Sequence, residues 1–171
     1  MLEGVGLYWY YSSPHKGRSN QFMRSLIQRV DTARVLVDGK LVSSIGIGLL
    51  AYVGITRGDR EEDAKYLADK ILNLRIFEDL QNKMNLSLRD IRGEIMVISQ
   101  FTLAADCRRG RRPSFTAAEN PQDAIVLYNY FVKLIKDVNG SVSQGVFQTM
   151  MSVESINNGP ITVLLDSRRC F

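Results

Sequence analysis

Three stretches of the chain carry most of the polar groups that could do chemistry. Ser99-Gln100-Phe101-Thr102 stands where an apolar run turns abruptly polar, and strand ends held by a packed core are favoured places for reacting groups. Strand alternation would put Gln100 and Thr102 on one face and Ser99 and Phe101 on the other. Backbone N–H groups there could polarise a carbonyl while Gln100 and Thr102 orient a substrate or a water. The plainer reading is a strand end whose side chains cap nearby backbone. Asn157-Asn158-Gly159-Pro160-Ile161-Thr162 reads either as a turn between two strands or as a rigid loop that presents backbone carbonyls. Cys107-Arg108-Arg109-Gly110-Arg111-Arg112-Pro113-Ser114-Phe115 sets four arginines around a glycine. Guanidinium forks match phosphate oxygens, although such a run can also be a solvated basic loop. Arg168-Arg169 form a second, weaker basic spot.

What the chain lacks constrains it as much. It has one histidine, His15, and two cysteines, Cys107 and Cys170. A zinc site needs about four Cys, His or carboxylate ligands at characteristic spacings, and none is apparent. A nucleophile–histidine pair would have to use His15, in a stretch that looks peripheral. The expected chemistry therefore works without imidazole, metal or cofactor.

The elements that position these residues follow from the pattern. A chain of 171 residues, 45% hydrophobic and 23% charged, fits one soluble globular domain. Widely spaced cysteines give no disulfide framework, so a reducing, cytoplasmic setting is expected. No stretch approaches the roughly 20 apolar residues of a membrane span. The net charge of +4 permits a polyanionic partner without requiring one. Residues 1–22, with Tyr8-Trp9-Tyr10-Tyr11, show no helical or strand period and read as a poorly ordered extension, with a single domain over 23–171.

Within that domain, Leu26–Val30 reads as a strand. Ala33–Val37 and Lys40–Ile45 flank Asp38-Gly39, a hairpin turn signal. Gly48–Ile55 and Glu94–Phe101 are apolar runs of strand length, expected to be buried on both faces. A helix is predicted from about Arg60 to Leu74, started by Asp59 with Glu62 reaching back, with Ala64, Leu67, Ala68, Ile71 and Leu74 on one face. A second opens at Asn120-Pro121 and stops at Gly140, with Ala124, Leu127, Tyr128, Phe131, Leu134, Ile135 and Val138 inward. Val142–Phe147, Met150–Ile156 and Ile161–Leu165 complete the expected strands. The order suggests an α/β (α+β-like) domain, layered sheet–sheet–helix, with mainly antiparallel strands and two main helices.

Several of these segments together resemble one family, the D-aminoacyl-tRNA deacylases. They are Met23–Val30, Lys70–Phe77, Lys83–Leu88, Ser99–Leu103, Gly110–Ala118 and Asn157–Thr162, in order and without large gaps. The resemblance implies hydrolysis of the ester between a D-amino acid, or glycine, and the 3′ terminal adenosine of tRNA. It implies a homodimer with active sites at the subunit interface, Ser99, Gln100, Phe101 and Thr102 as the active-site strand, and Gly159-Pro160 as a cis element reaching into the other subunit's site. Arg29 corresponds to an arginine that holds that element, and Phe147 and Met151 to residues lining the adenine pocket. The family usually has a small residue where Gln148 follows Phe147 here. A related subgroup that removes L-alanine replaces the serine-glutamine start of the strand motif, so Ser99-Gln100 argues against it. The rival from another class is a non-catalytic nucleic-acid-binding protein on the same fold.

Two mechanisms stay open within that resemblance. One places water at an already activated ester and relies on backbone N–H donors and the substrate's ribose 2′-hydroxyl. The other uses Thr102 as a covalent nucleophile, which wants an adjacent base that the sequence does not supply.

Overall fold

A computed structural model describes residues 22–170. Nearly all of the N-terminal extension, residues 1–21, lies outside the described residues. In chain order the elements are β1 Arg24–Val37, β2 Lys40–Ile45, β3 Gly48–Gly54, α1 Glu61–Asn73, β4 Phe77–Glu78, β5 Met84–Leu86, β6 Glu94–Ser99, α2 Pro121–Asn139, β7 Ser143–Gln144 and β8 Ser152–Asp166, with a 3₁₀ turn, Phe101–Ala104, between β6 and α2.

Strand β1 organises the sheet. It pairs antiparallel with β3 through its first half and β2 through its second, and with β8 along nearly its whole length on the other side. The Asp38-Gly39 hairpin forms as expected, both residues taking the positive φ (49° and 74°) that a tight turn demands. Beyond β3 the sheet changes character: β3–β6 and β6–β7 are parallel. The main sheet is thus mixed: antiparallel around β1, as β4–β5 also is, and parallel beyond β3. The parallel step follows from α1, which carries the chain back across the sheet between β3 and β6. Nor do the long strands separate into two stacked sheets. They share one sheet that nearly closes, as the Ser43 hydroxyl donates to the Gln144 carbonyl (2.7 Å) and the Ser143 hydroxyl to the Ser44 carbonyl (3.3 Å).

Alternation divides the core between two faces. On one, Ile27, Leu49, Ala51, Val53, Ile95 and Val97 meet Leu67 and Ile71 of α1 and Phe131 and Ile135 of α2. On the other, Val30, Val35, Ile45, Leu50, Met96 and Ile98 fill the inside of the curved sheet. Fully burying a side chain of this size contributes about 1.5–3 kcal/mol, so β3 and β6, buried on both faces, form the most firmly held platform in the molecule.

Local details correct several expectations. The cap of α1 is Arg60, whose N–H donates to the Asp63 carboxylate at 2.9 Å; Asp59 instead accepts from the Thr56 N–H at 2.6 Å. The carboxylate at the third helical position, not Glu62, satisfies the orphan donor. In α2, Asn120 accepts from the Asp123 N–H at 3.0 Å and Gly140 closes the helix at φ 81°, as expected, but Val138 faces solvent. Val142–Phe147 shrinks to the two-residue β7. The two predicted strand pairs Leu26–Val30/Ala33–Val37 and Met150–Ile156/Ile161–Leu165 are each one continuous strand, because β1 and β8 pair with one another on both sides of their polar interruptions.

Candidate active site

The end of β6 is where the sheet stops being a sheet. Ser99 is still paired with Val53, and the Gln100 N–H still donates to the Val53 carbonyl at 2.7 Å. The chain then tightens into the 3₁₀ turn, with Leu103 N–H donating to Gln100 O (3.2 Å) and Ala105 N–H to Thr102 O (3.0 Å). The expected alternation of faces across Ser99–Thr102 therefore ends at Gln100. A turn beginning at Phe101 leaves its first N–H groups without an intrahelical acceptor, and those of Phe101 and Thr102 have no acceptor among the described residues.

Packing fixes this turn in place. A Cβ at Gly54 would lie 2.9 Å from both the Gln100 carbonyl oxygen and Leu103 Cβ, so the turn sits directly on β3 where only glycine leaves room. Arg24 Nη1 donates to the Leu103 carbonyl at 2.7 Å. Phe101 and Thr102 are exposed, and Thr102 Oγ1 has no hydrogen-bond partner among the described residues. Phe101 meets Phe115 edge-on at 5.2 Å between ring centroids.

Phe147 and Met151 come to the same region from the connection between β7 and β8. Phe147 packs on Tyr128 (5.7 Å between rings), whose hydroxyl donates to Val97 O at 3.0 Å. Burial pushes the Tyr128 phenol far above its ordinary pKa, so it serves as a fixed donor. Met151 leans on the inner core beside Ile98, its sulfur 3.2 Å from the Val146 N–H. Phe147 and Gln148 line a groove of about 560 Å³ with Asn120, Pro121, Gln122 and Ile125. Gln148 has φ 57°, a region costly for a residue with a Cβ.

The second cluster is built differently. Between the pairs Gln28↔Thr162 and Val30↔Asn157, β1 has one residue, Arg29, while β8 has four, residues 158–161. The extra residues bulge from the ladder, and the Gly159–Pro160 bond is cis. Gly159 has φ 121°, and a Cβ there would meet Ile161 Cγ1 at 2.7 Å. Side chains pin the bulge. Asn157 Nδ2 donates to the Arg29 and Ile161 carbonyls, each at 2.9 Å, and Asn158 Nδ2 to Asp31 Oδ1 at 2.6 Å. Buried Arg29 donates to Asn158 O (3.4 Å) and Ile76 O (2.7 Å), with Glu78 Oε1 at 3.6 Å. Sequence reasoning missed Asn157, Asn158 and Gly54; the paired asparagines before Gly-Pro were visible only as turn formers.

The structure thus brings Ser99, Gln100, Phe101, Thr102, Phe147 and Met151 to one end of β6, and sets Arg29 of β1 beside Gly159 and Pro160 of the outer strand. These are not one place. Ser99 aligns through Val53 and Ser25 with Leu165, four rows from Arg29 and three strands from β8. At strand and residue spacings of about 4.8 and 3.3 Å, that is roughly 19 Å measured along the sheet of one chain.

The D-Tyr-tRNA(Tyr) deacylase family model matches residues 26–166, which include both clusters. The chain belongs to this family. Among D-aminoacyl-tRNA deacylases, that of Halothermothrix orenii is 54% identical and that of Alkaliphilus metalliredigens 52%, each over 149 residues, 87% of this chain and all of the relative. Among solved structures, "c-Myc DNA Unwinding Element Binding Protein" aligns at a TM-score of 0.79 and 34% identity, over 83% of this chain and 97% of that one. A probable eukaryotic D-amino acid tRNA deacylase shares the fold at a TM-score of 0.75 and 19% identity, over 84% and 98%. Membership fits the resemblance carried by Ser99–Leu103 and Asn157–Thr162.

Proposed function

We propose that the protein hydrolyses the ester joining a D-amino acid, or glycine, to the 3′ terminal adenosine of tRNA, and spares L-aminoacyl-tRNA. Relatives more than half identical along their whole length bear the name of that activity. The observation that carries the chemistry is the pair of N–H groups at Phe101 and Thr102, without an acceptor and held on a rigid platform. Aimed at an ester carbonyl, each such donor is worth about 10²–10³ in rate. Water adds to the carbonyl carbon and gives up a proton, the oxyanion settles on these N–H groups, and collapse releases the ribose 3′ oxygen, which takes that proton by way of the neighbouring 2′-hydroxyl. The lack of a partner on Thr102 Oγ1 favours this route over a threonine nucleophile, which would need a base within hydrogen-bond reach. Ser99 and Gln100 orient the turn and the substrate, and Phe147 and Met151 offer the adenine an apolar wall.

The separation of the two clusters supports a homodimer in which Gly159 and Pro160 of one subunit complete the site of the other. Strand β8 hydrogen-bonds only β1 among the described residues, leaving a fifteen-residue edge with exposed Ile156 and Leu164. An unprotected edge of that length is a template for pairing. Carbonyls of the bulge near the α-carbon would accept the amino group and exclude an L side chain, so selection by chirality tolerates many side chains.

The catalytic domain in this reading is 23–171. Met23 is fully buried, its carbonyl accepts from the Ser167 N–H at 3.0 Å, and 149-residue relatives align along their full length. No helix among the described residues is long and apolar enough to cross a membrane. Action on tRNA fits a cytoplasmic place. The nucleic-acid-binding reading draws its one specific support from the solved structure of that name.

The deciding assay compares release of tyrosine from D-tyrosyl-tRNA and L-tyrosyl-tRNA. Turnover of the D form alone is expected. Tight, salt-sensitive RNA binding without turnover would favour the binding protein, and turnover of the L form would overturn the chirality argument.

A further inference from the structure

The arginine loop is attached to the candidate active site, not merely near it in sequence. Asp106 and Ser114 exchange backbone hydrogen bonds (2.8 and 3.0 Å) that close residues 107–113 into a small loop. At its base Phe115 stacks edge-on against Phe101, the residue that opens the 3₁₀ turn. Gly110 turns the tip at φ 69°.

The loop's charge is unevenly spent. Arg108 folds back on Asp106 with two bonds, Nε to Oδ1 at 2.9 Å and Nη2 to Oδ2 at 2.7 Å, and this pairing holds the Asp106 carboxyl well below its ordinary pKa. Arg109, Arg111 and Arg112 are exposed and have no acidic or carbonyl partner among the described residues. A loop meant only to be soluble has no need to neutralise one arginine while presenting three others. The aromatic pair beside it is also open: Phe101 is 56% exposed and Phe115 38%. Unpaired bases stack on exposed aromatic faces regardless of sequence, and guanidinium forks grip the phosphates between them.

We infer that Arg109, Arg111 and Arg112 form, with the Phe101–Phe115 pair, a binding strip for the single-stranded 3′ end of tRNA. The arginines hold phosphates one or a few nucleotides before the ester, and the rings support an unpaired base. The inference rests on the deacylase reading of the neighbouring turn. It accounts for recognition of any tRNA whatever its amino acid, since phosphates and stacking faces are common to all.

The test uses the full chain with Arg109, Arg111 and Arg112 replaced together by alanine, and a second variant with all three replaced by lysine. Both are assayed on D-tyrosyl-tRNA at two salt concentrations and on D-tyrosyl-adenosine, which has the ester but no phosphates. The alanine variant should raise KM for the tRNA about 10-fold or more and leave kcat unchanged. It should also flatten the dependence of log(kcat/KM) on log salt by about 2, near 0.7 for each lost single-strand phosphate contact. The lysine variant should keep most of the salt slope, and both should cleave D-tyrosyl-adenosine like the parent. Equal loss on the two substrates would mean that the loop only supports the fold, and an unchanged KM for the tRNA would mean that it is solvated; either overturns the inference. Failure of the parent to cleave either ester would instead sink the deacylase reading. Filter binding of uncharged tRNA would then read the strip by itself, an unchanged affinity in the alanine variant refuting it and a 10-fold loss supporting it.

Discussion

The two clusters of candidate site residues are made by opposite means. At the end of β6 a ladder stops, and the useful groups are backbone N–H donors freed by the change to a 3₁₀ turn. On β8 a ladder continues past an insertion of backbone, and the useful groups are carbonyls in a bulge held by the side chains of Arg29, Asn157 and Asn158. The first is positioned by main-chain packing on Gly54, with Arg24 holding the Leu103 carbonyl. The second depends on a few polar side chains, each of which matters. A backbone donor needs only a rigid floor, whereas a bulge at a sheet edge needs fastening, because the ladder would otherwise draw it in.

The contrast predicts where substitution will hurt. Arg29→Ala should have the largest effect, removing two bonds made by a buried guanidinium and leaving the Ile76 carbonyl unsatisfied. We expect a loss of about 2–4 kcal/mol by chemical denaturation, with D-tyrosyl-tRNA hydrolysis falling below detection. Near-normal stability and activity would show that the bulge holds itself.

Phe101→Pro should come next, acting on kcat through the lost N–H and on KM through the lost ring. Proline at the first position of a helical turn is tolerated but has no N–H to donate. Hydrolysis should fall about 10²–10³-fold while Tm changes little, since no backbone bond is lost. A drop of only a few-fold would remove this N–H from the mechanism. At the small end, Thr102→Ala should keep activity within about 3-fold, measured as single-turnover release. Loss comparable to Phe101→Pro would restore the threonine nucleophile.

A different kind of effect is expected away from both clusters. Burial, with Asp63 nearby, lifts Asp59 to a pKa of about 6, against hydrogen bonds from Thr56 that pull it down. A carboxyl whose folded pKa lies above its unfolded value binds more protons when folded between those values. The protein should therefore lose stability as pH rises from about 4 to 6, on the order of 1–2 kcal/mol. Asp59→Asn should flatten that part of the pH profile; an unchanged slope would mean that Asp59 is not the group responsible.

Much of this was legible in the sequence. The Asp38-Gly39 hairpin, the α2 caps at Asn120-Pro121 and Gly140, and the doubly buried β3 follow from local residue types that tertiary structure did not override. The illegible parts share one cause. Asp31-Thr32 and Asn157–Pro160 look like strand breaks, yet each sits opposite a strand long enough to pair on both sides, and nonlocal pairing overrides local turn propensity. In the same way Ser99–Thr102 could be placed at a strand end, but the 3₁₀ turn that frees its N–H groups depends on the contact with Gly54, which no local pattern reports. Composition showed no histidine in residues 23–171; it could not reveal that the two candidate clusters lie on different parts of the sheet.

Complementation between subunits tests whether that separation is bridged by a second copy of the chain. Phe101→Pro damages only the turn and Gly159→Ala only the bulge. Each homodimer alone should be nearly inactive. Mixed by unfolding and refolding together, half of the dimers should carry one of each, and in these one site unites an intact turn with an intact bulge. Activity should recover to about one quarter of the parental value, rising to about one half for mixed dimers isolated by differential tags, from random pairing with one good site per mixed dimer. No recovery in verified mixed dimers would contradict a site shared between subunits, and would mean that turn and bulge of a single chain act together.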